Sequence, residues 1–197
     1  MNMKSKVKAV VAASSWGRLV CSLVICSLVF NVGCSSVTGP DPIGGSNVTL
    51  AKGTAAPALS VASWIGGDPV SKFEPGKVYV VEFWATWCGP CVSNMPHLAT
   101  LQSKYQDEVR FIGVTDEDNE TVQGFLAKQH PTQGKTFGEI INYTLALDDQ
   151  RQTNANYMEA ANQNGIPTAF IVGKDGIVSW IGHPAKIDRA LAEAVSK

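Results

Sequence analysis

Cys88 and Cys91, in the run Trp84-Ala85-Thr86-Trp87-Cys88-Gly89-Pro90-Cys91, are the residues whose type and spacing bear most directly on chemistry. A Cys-x-x-Cys pair can exchange disulfides with another thiol, supply half of a zinc site, or close into a static crosslink. A structural zinc site wants about four ligands. The histidines that could complete one, His97, His130 and His183, are widely scattered. A static disulfide across so short a loop gains little chain entropy. The pair therefore reads as a redox-active dithiol, with copper or metal handling by the thiolates as the alternative from a different class.

Such a dithiol needs a helix N-terminus, where unpaired N–H groups and the helix dipole favour a thiolate. The elements around it fit. Val78-Tyr79-Val80-Val81-Glu82-Phe83 is an apolar, β-branched run of the kind that forms a central strand covered on both faces. A helix beginning near Cys91 carries Met95, Leu98, Leu101 and Tyr105 on one face. Cys88 would then precede the first turn and attack a substrate disulfide, and Cys91, one turn on and more buried, would resolve the mixed disulfide. Gly89 keeps bulk away from a partner, and Pro90 suits an early helical position. Glu82 is an acid in a strand that otherwise reads as buried, where ionisation is expensive. Such an acid needs a reason, the plainest being a neighbouring cation or water at the strand end. Trp87 is read as covering part of the dithiol and offering partners an apolar platform, whereas Trp84 reads equally well as plain core. Pro96 would interrupt the helix, and His97 and His183 are read as solvated or core residues.

Further along, strands are expected at 109–115, 143–147, 169–172 and 177–181, the last two forming a hairpin around Lys174-Asp175-Gly176. Helices are expected at 121–129, 153–162 and 186–195. The alternation specifies an α/β domain with a central sheet. The whole chain has 197 residues, a net charge of -1, 45% hydrophobic and 17% charged residues. With no basic stripe, it carries no electrostatic footprint for nucleic acid.

The N-terminal part reads differently. Lys4, Lys6, Lys8 and Arg18 precede an apolar run from Leu19 to Phe30, the layout of a secretory signal peptide over 1–33. Asn31-Val32-Gly33-Cys34 resembles a bacterial lipobox, with Asn31 where that motif usually has Leu, and the resemblance implies lipidation of Cys34. Ordinary signal-peptide cleavage, leaving a soluble protein, is the alternative to lipidation, and a permanent transmembrane anchor is the weaker reading of an apolar run shorter than the ~20 residues needed to cross a bilayer. Residues 34–56, rich in Ser, Gly, Pro and Thr, read as a flexible tether, and 57–197 as the domain.

Val81-Glu82-Phe83-Trp84-Ala85-Thr86-Trp87-Cys88-Gly89-Pro90-Cys91, Pro96 and Gly165-Ile166-Pro167-Thr168 together resemble the thioredoxin superfamily, and within it the extracytoplasmic TlpA/ResA-like thiol-disulfide oxidoreductases. The resemblance spans about residues 55–197. It implies a thioredoxin-like fold, a central mixed sheet flanked by helices, with a strand-helix insertion at about 143–163 before a cis-proline segment. It implies that Pro167 is cis and lies against the cysteines, that the peptide around Ile166 pairs with extended substrate, and that Glu82 accepts a proton from Cys91. No cofactor is implied. The implied partners are disulfide-bearing client proteins and a membrane electron donor, in a periplasm-facing, lipid-anchored setting. Reduction of clients is the leading direction, with oxidase or isomerase activity as the alternative.

Overall fold

In the computed structural model the described residues are 49–197, so the expected signal peptide, Cys34 and most of the tether lie outside them. The sheet is built around one strand. Val78–Phe83 (β2) has all six side chains buried, because it is paired on both edges and covered on both faces. Val109–Thr115 (β3) runs parallel to it on one edge and Thr168–Val172 (β5) antiparallel on the other. Thr144–Asp148 (β4) lies parallel outside β3, Val61–Ile65 (β1) antiparallel outside β4, and Val178–Gly182 (β6) antiparallel outside β5. The order β1-β4-β3-β2-β5-β6 is the expected mixed sheet. β1 was not anticipated. It is an edge strand with Ala62 and Ser63 exposed, so it lacks the continuous apolar run that marks a buried strand.

Side-chain alternation along β2 divides the core in two. Val78 and Val80 face a layer made by Gly89–Lys104 (α1), Asn119–Leu126 (α2), the short Phe137–Ile140 (α3) and Asp188–Ser196 (α5). Tyr79, Val81 and Phe83 face the other layer, with Tyr157, Met158, Phe170 and Leu50. Phe83, Tyr157 and Phe170 pack there with ring centroids 5.2 to 6.0 Å apart, contacts that add to simple area burial.

Three expectations change. Packing begins by Thr49 rather than at 57: Thr49 and Leu50 donate backbone bonds to Ala160 O, Leu50 is buried, and Ala55 bridges Ile177. Backbone bonds and the buried Leu50 together dock a segment whose composition reads as tether. The helix expected at 153–162 is a short Gln152–Asn154 turn (α4) continued by a π-helical turn at Ala155–Glu159. Both oxygens of Asp148 accept from the N–H groups of Thr153 and Asn154 at 2.8 Å, which starts this segment directly off β4. The closing helix is preceded by a 3₁₀ turn at Pro184–Lys186 and runs one residue past Val195.

Gly113 on β3 stands opposite Glu82 on one side and Leu145 on the other. A Cβ there would lie 2.8 Å from Leu145 Cδ2 and 3.0 Å from Trp84 Nε1, so the buried indole of Trp84 occupies the space that a side chain would take. Gly113→Ala is therefore expected to destabilise the oxidised protein by about 1–3 kcal/mol through overpacking, seen as a lower urea midpoint with an unchanged slope.

Candidate active site

β2 ends at Phe83, and five residues later Cys88 caps the N-terminus of α1, with extended backbone at φ −82° and ψ 94°. Its sulfur accepts from Cys91 N at 3.2 Å, and Pro90 lies in the first turn, where a missing N–H is tolerated. Cys88 and Cys91 are joined as a disulfide, with their Cα atoms 5.2 Å apart. The first turn of α1 has no acidic residue and the last turn holds Lys104, a charge pattern that leaves the positive end of the helix dipole uncompensated at Cys88. Cys91 is fully buried. Gly89 faces open space, with nothing within 4 Å of where a Cβ would stand.

Glu82 shares the face of β2 that carries Val78 and Val80, the face packed by α1. It is buried, and among the described residues neither carboxyl oxygen has a hydrogen-bond partner. Among the described residues no cation reaches it, and at 1% exposure it does not meet solvent at the strand end. Its cross-strand neighbours are Gly113 and Ala169, which offer no polar group. Burial alone pushes its pKa from 4.5 up to about 8. Tyr143, just ahead of β4 in the same core layer, also has a buried hydroxyl without a partner. Burial, and then the charge of Glu82, hold Tyr143 well above its ordinary value.

The peptide between Ile166 and Pro167 is cis, and Pro167 is buried immediately before β5. Since Phe83 of β2 pairs with Thr168 of β5, the register delivers this proline to the strand end from which the cysteine loop departs. Beside it lies a groove of about 520 Å³, bordered by Trp87, Ile166, Met158, Asp116 and Arg151. Trp87 is 75% exposed, the one large apolar side chain so exposed among the described residues, whereas Trp84 is core. Trp87 thus stands exposed at the edge of the groove. Pro96 is inside α1, and Thr100 Oγ bonds its carbonyl at 2.9 Å.

His97 is not brought to the dithiol; its Nε2 meets Asp188 Oδ2 at 3.0 Å, tying α1 to α5. His183 caps the 3₁₀ turn through Ala185 N at 3.2 Å. Among the described residues no group of three or more His, Cys, Asp or Glu side chains is gathered as a metal site. One residue near the site was missed: Glu117, whose carboxylate accepts from Thr86 N and Thr86 Oγ1, both at 2.7 Å. Asp116-Glu117-Asp118 reads simply as the polar end of a strand, and nothing local marks Glu117 among the three.

The burial of Glu82 has a sign that can be measured. Its carboxyl ionises near pH 4.5 in the unfolded chain and near 8 in the fold, so between those values the unfolded state holds fewer protons. Stability from this group is full below pH 4.5 and is lost as pH rises to about 8. Glu82→Gln is expected to match the parent below pH 4.5 and to exceed it above pH 8 by roughly 2–5 kcal/mol, measured by urea unfolding of the oxidised proteins across pH.

Comparison with known proteins agrees with this geometry. The Redoxin family matches residues 51–196. FixW of Rhizobium leguminosarum is 30% identical over 149 residues, covering 75% of this chain and 67% of FixW. The thiol-disulfide oxidoreductase ResA of Bacillus cereus is 28% identical over 127 residues, 64% of this chain and 66% of ResA. The chain thus spans about two thirds of these relatives. Among solved structures, a Chlorobium tepidum protein assigned as the thiol:disulfide interchange protein DsbE aligns with 74% of this chain and 99% of its own, at 26% identity and a TM-score of 0.56. The chain belongs to the Redoxin family, as a TlpA/ResA-like thiol-disulfide oxidoreductase of the thioredoxin superfamily.

Proposed function

We propose that the chain reduces disulfides of client proteins in an extracytoplasmic space, held at a membrane by lipid on Cys34. The observation that carries this reading is the Cys88–Cys91 disulfide at the start of α1, directly after the exposed Trp87, which borders a groove together with Ile166. Among the described residues no helix is long and apolar enough to cross a membrane, so anchoring rests on the N-terminal segment.

In the reduced protein, the Cys88 thiolate attacks one sulfur of the client disulfide. A Cys88–client disulfide forms, and the other client sulfur leaves as a thiolate that takes up a proton. Cys91 then loses its proton and attacks Cys88 Sγ, closing the Cys88–Cys91 bond and releasing the second client thiolate. Two electrons and two protons pass to the client. Glu82 is the proton acceptor for Cys91, and burial without a partner keeps its carboxyl poised near neutral pH for that transfer. A dithiol-bearing membrane protein then returns two electrons to the disulfide.

The reductive direction rests on Gly89-Pro90, a dipeptide similar to that of reducing thioredoxins. Oxidase or isomerase activity of the same fold is the rival, and the potential of the pair decides between them. Equilibration with a thiol buffer is expected to give a value near about −270 mV; a value well above about −200 mV would sink the reductase reading. In Cys91→Ser, clients should accumulate as covalent adducts of Cys88, identified by mass spectrometry. For Glu82, the rate of mixed-disulfide resolution is expected to rise with pH through about 8, and Glu82→Gln to slow it and flatten that rise. An unchanged profile removes Glu82 from the mechanism.

A further inference from the structure

The turn after β3 commits three consecutive acids to three different segments. Asp116 pairs with Arg151 at the start of α4. Asp118 caps α2, accepting from Thr121 N at 2.8 Å. Glu117 turns back to the loop between β2 and α1. Its Oε2 accepts from Thr86 N at 2.7 Å and its Oε1 from Thr86 Oγ1 at 2.7 Å. Glu117 is itself held at its base, since Thr115 Oγ1 accepts from Glu117 N and donates to Glu117 Oε2, both at 3.3 Å. Thr115 is buried at the end of β3, so the anchor point belongs to the sheet.

Thr86 is two residues before Cys88. Other loop amides bond backbone carbonyls: Trp84 N reaches Val114 O at 3.0 Å, and Cys88 N reaches Ala85 O at 3.1 Å. The Thr86 amide instead depends on a side chain 31 positions away. Helix-dipole stabilisation of an anion fades within the first turn. The acidity of Cys88 therefore depends on the loop presenting its sulfur squarely to the start of α1. Trp87, held between the anchored Thr86 and the cap at Cys88, is turned outward by the same restraint.

We propose that Glu117 is a positioning residue for the nucleophile, acting through its two bonds to Thr86 to hold Cys88 at the helix N-terminus. This rests on the reading of Cys88 as the attacking thiol. Two effects of Glu117 have opposite signs, which makes the role measurable. Its negative charge disfavours a nearby thiolate, so loss of charge alone would lower the Cys88 pKa and speed attack. Loss of the restraint would raise the pKa and slow attack.

The test uses the reduced full-length protein. Alkylation of Cys88 by iodoacetamide is followed across pH by mass spectrometry of the Cys88 peptide, together with the rate of attack on glutathione disulfide. Glu117→Ala is expected to move the Cys88 profile to higher pH and to slow attack at neutral pH about tenfold, the scale of a lost charge-assisted hydrogen bond. Thr86→Val, which keeps the amide bond, should shift in the same direction by less. The double variant should be no worse than Glu117→Ala. Glu117→Gln removes the charge but keeps an acceptor, and should stay within about threefold of the parent. A profile in Glu117→Ala that is unmoved or moves to lower pH overturns the proposal, as does Glu117→Gln behaving like Glu117→Ala. If Glu117→Ala fails to fold, the other two variants decide: an unshifted Thr86→Val refutes the role. Exchange that persists in Cys88→Ala refutes Cys88 as nucleophile, and the role of Glu117 with it. Exchange lost in Cys88→Ala but unaffected in Glu117→Ala refutes the positioning role alone.

Discussion

β2 is hydrogen-bonded along both edges and buried on both faces, and the geometry of the site follows from that enclosure. A strand with no free edge and no free face has a fixed height and direction at its end. The loop leaving Phe83 therefore starts from a rigid point, and α1 is packed back onto the same strand through Met95 and Leu98. Cys88 lies between these two constraints. The same enclosure isolates Glu82: alternation puts its carboxyl on the α1 face with Val78 and Val80, between Gly113 and Ala169.

That arrangement is unfavourable for folding, because a buried acid without a partner loses its hydration and gains no hydrogen bond in return. The fold tolerates it by keeping the acid neutral up to about pH 8. A carboxyl held at that value on the α1 face of β2 fits the proton transfer proposed for it, whereas a well-paired carboxylate would remain ionised and inert.

Register then gathers the remaining parts. Parallel β3 ends alongside β2 and sends the Asp116-Glu117-Asp118 turn to that end, while antiparallel β5 begins there, so Pro167 arrives from the other side. β4 continues the parallel set and launches α4, bringing Arg151 and Met158 to the groove. The site therefore occupies the crevice beyond the carboxyl ends of the parallel strands, where an open α/β sheet leaves room for a ligand. Trp87 is exposed there, between Thr86, which bonds Glu117, and Cys88, which caps α1.

Much of this was legible along the chain. Local composition determined β2, since six consecutive residues of a β-branched and aromatic run need no distant partner to be recognised. It also determined the start of α1, because Cys88-Gly89-Pro90 is a cap followed by an early helical proline, and the dithiol chemistry that a helix N-terminus supports. β1 escaped because an edge strand is half exposed, and the docking of Leu50 escaped because one apolar residue makes no pattern. Tertiary structure alone decided that no cation reaches Glu82, that Tyr143 shares its burial, and that Glu117 rather than Asp116 or Asp118 holds the loop before Cys88. The physical reason is range: capping and strand propensity act over a few residues, whereas the solvation and hydrogen-bond partners of a side chain are set by what packs against it from distant parts of the chain.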